Sequence, residues 1–216
     1  MADLDELGEL RERGLGRILA LSDGVFAFAI TLLVLDLVVP AFGPNQDITA
    51  LPSLLADKWD SFFNYFLSFT MIAVWWNSHQ RYFEYIRGYD GRLKALNLLI
   101  LLTITLIPFC TKLLDTWSSL RFPSLSSPFA VALYAFNEGA VGTFLALTWR
   151  HVTKDHRFID NRLNQQTIDR MRITSIIPPI MFYLSIPLAY LGAPIAWISW
   201  YAIFPIAYTL RRRYSK

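Results

Sequence analysis

Several side chains that can exchange a proton lie in or beside long apolar stretches of the sequence: Asp23, Asp36, His79 and Glu138. A titratable group at bilayer depth is costly unless it faces protein or water. Glu138 is therefore either a buried carboxylate that Asn137 or another helix satisfies, or a group on an ion path. Asp36 is either a solvated helix-end charge or part of an outer vestibule that concentrates cations.

Other chemistries find little support in the residues. His79 and the scattered carboxylates do not form a metal-ligand set, and Cys110 is the only cysteine, so neither a cysteine-based metal site nor an intrachain disulfide is expected. No nucleophile has a base at a telling spacing. We therefore expect no enzyme activity, no cofactor and no bound metal other than a permeant ion.

The composition indicates which elements must position these groups. Of the 216 residues, 54% are hydrophobic and only 17% are charged, which is too apolar for an ordinary soluble domain. We expect one all-α integral membrane domain over 17–210, between an N-terminal segment (1–16) and a basic tail (211–216). A net charge of +3 gives no argument for nucleic acid as a partner. The six predicted spans are about 17–40, 58–82, 93–114, 128–149, 173–191 and 194–210.

The distribution of basic residues predicts the orientation. Arginine and lysine cluster before span one, between spans two and three, between spans four and five, and after span six. The opposite loops hold only Lys58, Lys112 and Arg121 near the span ends. Because basic residues favour the cytoplasmic side, both termini are predicted to be cytoplasmic.

The first span has a patterned surface. Neighbours three and four apart share a helix face, and one stripe therefore holds Gly24, Phe28, Thr31, Leu32, Leu35 and Val39. Asp23 points away from this stripe. The stripe is apolar except for one hydroxyl, and it could face lipid, a neighbouring helix or a copy of itself around a symmetry axis.

Two motifs carry a resemblance to a known family. The first reads Ser22-Asp23-Gly24-Val25-Phe26-Ala27, preceded by Arg17 and followed by Thr31-Leu32-Leu33-Val34-Leu35-Asp36. It resembles the first-helix signature of the prokaryotic relatives of transmembrane protein 175, the endosomal and lysosomal potassium channel. The second, Trp76 to Phe83, resembles the family's Trp-x-x-His-His-x-x-Phe, with Gln80 in place of the second histidine.

The resemblance implies a potassium-permeable channel. In this family four copies of a six-helix unit place their first helices around a central pore, so the expected partners are three further copies of the chain, permeant K⁺ and the lipid bilayer, in the inner membrane of a prokaryotic cell. Carried over by position, the pore-lining apolar residues are Phe28, Leu32 and Leu35, with the selectivity-linked hydroxyl on Thr31. The family usually has Ile or Leu at the position of Phe28. We expect a hydrophobic constriction with a modest preference for K⁺ over Na⁺.

The same resemblance suggests a polar cluster behind the pore helix, formed by Arg17, Ser22, Asp23, Trp76 and His79. This cluster would fix the helix and join subunits, or His79 would sense pH, because an imidazole titrates near neutrality. The alternative function is a small secondary transporter that uses Glu138, His79 and Asp23 as coupling groups. An uninterrupted first helix and the lack of an internal repeat argue against it.

Overall fold

A computed structural model describes residues 2–40, 48–117, 127–160, 163–192, 195–196 and 199–200. Within these ranges the chain is helical without a β-strand, apart from one isolated antiparallel bridge between Ile86 and Ile159. The prediction of an all-α protein is confirmed. The sixth predicted span, 194–210, and the tail, 211–216, lie largely or wholly outside the described residues.

The described α-helices are α1 (Ala2–Leu32), α2 (Leu51–Ala56), α3 (Trp59–Phe83), α4 (Gly91–Trp117), α5 (Pro128–Thr153) and α6 (Gln165–Leu191). Short 3-10 turns cover Leu33–Asp36, Ile48–Ala50 and Lys154–His156. In the described part of the chain, four segments are long and apolar enough to cross a membrane: Gly8–Asp36, Gly91–Trp117, Pro128–His156 and Gln165–Leu191. The 25 residues of α3 also have the length, about 38 Å at helical rise, but their composition is more polar.

The first helix differs from the predicted span at both ends. It begins at Ala2, so residues 2–16 and the first span form one continuous helix. The α-helical part ends at Leu32, a 3-10 turn follows, and Leu37 has φ −77° and ψ 89°. The helix is therefore shorter at this end than the predicted 17–40, because a proline at 40 disfavours the helical conformation of Val39 before it.

Helices α5 and α6 form a closely packed antiparallel hairpin. A Cβ atom added at Gly142 would lie 2.8 Å from the Pro179 Cδ, and one added at Gly139 would lie 2.6 Å from the Tyr183 ring. Small residues at these two positions allow the helices to approach closely, as is common in membranes. The other side of α5 packs on α4, and α1 packs on α3 and α4.

The connection between α3 and α4 pairs with the connection between α5 and α6. The Arg87 amide donates to the Phe158 carbonyl at 2.7 Å, and the Asp160 amide donates to the Tyr85 carbonyl at 3.0 Å. The Arg87 guanidinium also lies 3.3 Å from the Asp160 carboxylate. The two helical hairpins are thereby joined at one end of the bundle.

Asp90 adds a second contact at this end. Its carboxylate accepts from the Leu93 amide at 2.8 Å and lies 3.0 Å from His151 Nε2. Partial burial acts to raise the pKa of Asp90. Hydrogen bonds from Leu93 and His151 and the charges of His151 and Arg157 outweigh that effect, so the pKa lies below its ordinary value of 3.8.

Candidate functional site

The apolar stripe of α1 is exposed in the isolated chain. Phe28 and Leu35 keep 59% and 72% of their surface exposed, Thr31 and Gly24 are exposed, and Leu32 is half-buried. Only 22% of the apolar stretch of this helix is buried within the chain, against 61% for α5. An apolar surface of this kind marks a contact with lipid or protein.

The opposite face of α1 is buried. Ser22, Phe26, Ala29 and Leu33 are each at most 1% exposed and follow one another at intervals of three and four residues. This face lies against α3 and α4. Because this face packs inward, the predicted pore-lining residues on the opposite face point away from the rest of the chain.

Thr31 is the hydroxyl within the exposed stripe. Its Oγ1 donates to the Phe28 carbonyl at 2.8 Å, one turn earlier in the same helix. Because the hydroxyl proton is used by the backbone, the oxygen lone pairs remain free to accept from the outside. An oxygen held in this way can act as a ligand for a cation.

Leu35 lies outside the regular α-helix, in the 3-10 turn that covers Leu33–Asp36. Its side chain still faces outward with Phe28. A 3-10 turn rises about 2.0 Å per residue against 1.5 Å in an α-helix, so the stripe is stretched at this end. Val39, which the helical spacing also placed on the stripe, follows the turn in non-helical backbone and is 78% exposed.

A buried hydrogen-bonded group ties α1 to α3 and α4. The Asn97 Nδ2 on α4 donates to Ser22 Oγ at 3.0 Å, and Ser22 Oγ in turn donates to the Ile18 carbonyl at 2.8 Å. His79 Nε2 on α3 lies 2.8 Å from Asn97 Oδ1. Ser22 and His79 are therefore joined through Asn97, a residue that the sequence analysis did not select.

His79 is fully buried between aromatic rings. Its imidazole stacks on Phe83 with 4.2 Å between centroids and lies 5.6 Å from the Phe26 ring. The Nδ1 atom has no hydrogen-bond partner within the described part of the chain. Because Asn97 Oδ1 can only accept, this geometry suits a neutral ring that carries its proton on Nε2.

Asp23 belongs to a separate contact at the edge of α1. The Trp76 Nε1 donates to Asp23 Oδ1 at 3.0 Å, and the Gln80 amide donates to the same oxygen. Both donors come from α3, one turn apart. Gln80, the departure from the family motif, thus holds the carboxylate that the motif's tryptophan also binds.

Arg17, near the middle of α1, and Asp36, in the 3-10 turn after it, take part in neither group. Arg17 is exposed and lines a surface groove with Tyr89 and Lys94. Among the described residues it has no ion-pair partner, so the predicted cluster does not include it. The Asp36 carboxylate lies 3.9 Å from the Lys112 Nζ on α4, which pairs the carboxylate with a nearby cation.

Glu138 is fully buried in α5. The Trp75 Nε1 on α3 donates to its Oε2 at 2.5 Å. Asn137 does not satisfy this carboxylate, because its amide donates to the Thr103 carbonyl on α4 at 3.0 Å. Another helix thus supplies the hydrogen bond to Oε2, whereas the buried Oε1 has no hydrogen-bond partner among the described residues.

The three titratable groups of the transporter alternative share no hydrogen-bond partner in the described structure. Glu138 binds Trp75, His79 binds Asn97, and Asp23 binds residues at the surface of α3. In the described ranges no group of three or more His, Cys, Asp or Glu side chains is placed to hold a metal ion.

Comparisons with known proteins identify the family. The family model described as the endosomal/lysosomal potassium channel TMEM175 matches residues 17–108. A protein of Streptomyces collinus named as a potassium channel is 34% identical over 181 residues, which cover 83% of this chain and 84% of that protein. The chain belongs to the TMEM175 family. The resemblance of the two motifs to this family is thereby confirmed, and the family consists of ion channels rather than enzymes.

Further TMEM175 relatives match nearly the whole chain. A potassium channel of Chamaesiphon minutus is 31% identical over 198 residues, covering 89% of this chain and 91% of the relative. The crystal structure of a potassium-selective TMEM175 homologue from that organism superposes with a TM-score of 0.72 at 29% identity. It covers 94% of this chain and 100% of that one. The fold is therefore that of a TMEM175 channel subunit.

Proposed function

We propose that this TMEM175 chain forms a potassium-permeable channel in which four copies place the exposed face of α1 around a central axis. One chain presents a single lining helix and cannot enclose a path with it, so the proposal requires cyclic assembly. The bacterial relatives named as potassium channels support K⁺ as the permeant ion.

The observation that carries the proposal is the two-sided character of α1. Its buried face ends at Leu33 against the rest of the chain, whereas Phe28 and Leu35 on the other face touch little of it. Residues 28 to 35 extend over about two turns, or roughly 10 Å. Four copies around an axis would place rings of apolar side chains over that length.

The proposed constriction works by excluding water. Rings formed by Phe28, Leu32 and Leu35 supply no ligand to replace the hydration shell of an ion, so a narrow path is dry and closed. A small rotation or separation of the helices lets water enter. Thr31 supplies a hydroxyl oxygen in this stretch that can contact a partly dehydrated ion. Because K⁺ loses water more easily than Na⁺, the path would conduct K⁺ with a modest preference.

The two polar contacts of α1 would hold the lining helix in place. Asn97 fixes Ser22 and His79 inside the chain, and Asp23 is held at the surface by Trp76. These contacts all lie within one chain, so the role of the residues in joining subunits stays a prediction. The full burial of His79 and the free Nδ1 favour a structural role over pH sensing.

The proposed setting is the inner membrane of a prokaryotic cell, with both termini on the cytoplasmic side. The positions of the basic residues support this orientation. The separate hydrogen-bond partners of Glu138, His79 and Asp23 do not favour a coupled carrier.

Purified protein in a planar lipid bilayer tests the proposal. We expect discrete single-channel currents carried by K⁺, with a reversal potential that shifts toward the K⁺ equilibrium value in a K⁺/Na⁺ gradient. A tetramer in the same preparation, measured by light scattering with the detergent contribution subtracted, is the second expected result. Flux without resolvable channel steps, or a monomer in bilayers, would contradict the proposal.

A further inference from the structure

A groove runs along the outer surface between α5 and α6. Its volume is about 250 Å³. The α5 wall is formed by Thr143, Leu147 and Arg150, which are spaced at i, i+4 and i+7 and so form one stripe. The opposite wall belongs to α6, and the two helices run antiparallel. Neither helix contributes to the proposed pore face.

Two arginines lie at the same end of the groove. Arg150 is near the end of α5, and Arg172 is seven residues after the start of α6. Both are exposed, and neither guanidinium has an ion-pair partner among the described residues. Arg172 directly precedes the uncharged run that begins at Ile173, so its guanidinium lies at the edge of the apolar part of α6.

The rest of the groove is apolar. Leu147, Ile176 and Ile180 line its sides and are 39%, 44% and 50% exposed. The far end holds two hydroxyls, Thr143 Oγ1 and Tyr183 Oη, which lie 3.1 Å apart and hydrogen-bond to each other. The groove thus has two arginines at one end and apolar walls along its length. The two hydroxyls at its other end are already paired with each other.

We propose that this groove binds one anionic phospholipid, with the phosphate on Arg150 and Arg172 and one acyl chain along Leu147, Ile176 and Ile180. Guanidinium groups bind phosphate through charge-assisted and often bidentate hydrogen bonds. Basic pockets between membrane helices are known to hold anionic headgroups. A second copy of the chain that docked by the same face would bring like arginines together, so charge favours the lipid.

Native mass spectrometry of the detergent-purified protein tests the proposal, with phosphatidylglycerol and phosphatidylcholine added as probes. The test variant is the double substitution Arg150→Gln/Arg172→Gln. The matched control, Arg92→Gln/Arg170→Gln, removes the same charge from basic residues that do not line the groove. A third variant, Ala146→Phe, fills the groove without a change of charge.

We expect the wild type and the control pair to bind phosphatidylglycerol in preference to phosphatidylcholine. The groove pair should lose more than about tenfold in phosphatidylglycerol affinity, because each basic residue near a headgroup contributes about a fivefold gain. Ala146→Phe should also weaken binding while the oligomer stays intact on size-exclusion chromatography.

Three outcomes would overturn the proposal. Equal binding of the two lipids by the wild type would show that the negative charge of the headgroup does not contribute to binding. An unchanged preference in the groove pair would place the lipid elsewhere. Full binding by Ala146→Phe would mean that surface charge alone attracts the lipid, and a change of oligomeric state in that variant would assign the groove to a second copy.

Discussion

His79 on α3 and Asn97 on α4 are joined by a hydrogen bond of 2.8 Å between Nε2 and Oδ1. The same amide binds Ser22 on α1, so a single side chain connects three helices. In an apolar surrounding an unpaired polar group is costly, so each member of this group depends on the other two. The contact fixes α1 at Ser22, six residues before Phe28.

The His79 contact predicts a specific loss of stability. His79→Ala removes the bond to Asn97 and the stacking on Phe83, and it leaves the Asn97 oxygen with one partner fewer. The free energy of unfolding should fall by about 1–3 kcal/mol. Thermal melting of the purified oligomer is the measurement, with the exposed Asn77→Ala on the same helix as control. Equal midpoints for the two variants would argue that the bond contributes nothing.

The constriction hypothesis predicts that Phe28→Ala enlarges the basal K⁺ current several-fold. Four alanine side chains would leave a wider path than four phenylalanines, and water enters a wider apolar path more readily. The measurement is macroscopic current at matched surface expression. Phe66→Ala serves as the control. Phe66 is 62% exposed on α3, so this substitution removes the same aromatic side chain from a different surface. Unchanged current in Phe28→Ala, or the same increase in both variants, speaks against the assigned pore face.

The hydroxyl in the stripe predicts a change of selectivity. Thr31→Val has nearly the same shape without the oxygen, and the K⁺ to Na⁺ permeability ratio should shift measurably, by a factor of about two or more if one weak ligand per subunit is lost. Thr31→Ser keeps the oxygen and its bond to the Phe28 carbonyl, so its ratio should stay near that of the wild type. Reversal potentials in mixed ions give both values. A shift in the serine variant alone would refute the role of the oxygen.

Glu138 allows a test between structural and transport roles. Glu138→Gln keeps an acceptor for the Trp75 Nε1, so the protein should fold and conduct normally. Glu138→Leu leaves that N–H without a partner and should cost about 1–3 kcal/mol of stability. Melting and K⁺ flux are measured for both. Loss of flux in a well-folded glutamine variant would indicate a coupling carboxylate instead.

Asp90 predicts a dependence of stability on acid. Its pKa is lower in the folded chain than the ordinary value of 3.8, so the folded state is favoured by the ionised carboxylate above that pH. This stability is lost as the pH falls through the folded pKa. The melting midpoint should therefore drop as the solution is acidified to and below pH 3.8. Asp90→Asn should melt lower above that pH and fall less on acidification, whereas parallel curves would exclude Asp90 as the source.

The helices could be predicted from the sequence because their signals are local. Apolar runs of spanning length lie within single segments, and the predicted spans three and four fall inside α4 and α5. The outward direction of Phe28 and the inward direction of Ser22 both follow from the helical period. The helix ends were less predictable. Residues 2–16 belong to α1 although the predicted span began at 17, and the residues just before Pro40 are not helical although the predicted span ended at 40.

The polar partners could not be predicted in the same way. Ser22 and Asn97 are 75 positions apart, and nothing near Asn97 distinguishes it from an amide that faces lipid or water. A single amide within the apolar run of α4 was the available signal. Similarly, Glu138 had Asn137 as its nearest candidate partner in sequence, but the helix period points Asn137 toward α4 and Glu138 toward Trp75. Such pairings depend on the packing of helices and not on any one of them.

The continuity of α1 has a mechanical consequence. Its 31 residues form one rod about 46 Å long, of which residues 2–7 precede the apolar segment Gly8–Asp36. A stiff rod transmits torque, so a twist applied near Glu9 turns Phe28 by the same angle. In the proposed tetramer, a rotation applied at the N-terminal end of α1 would therefore change the width of the constriction near Phe28.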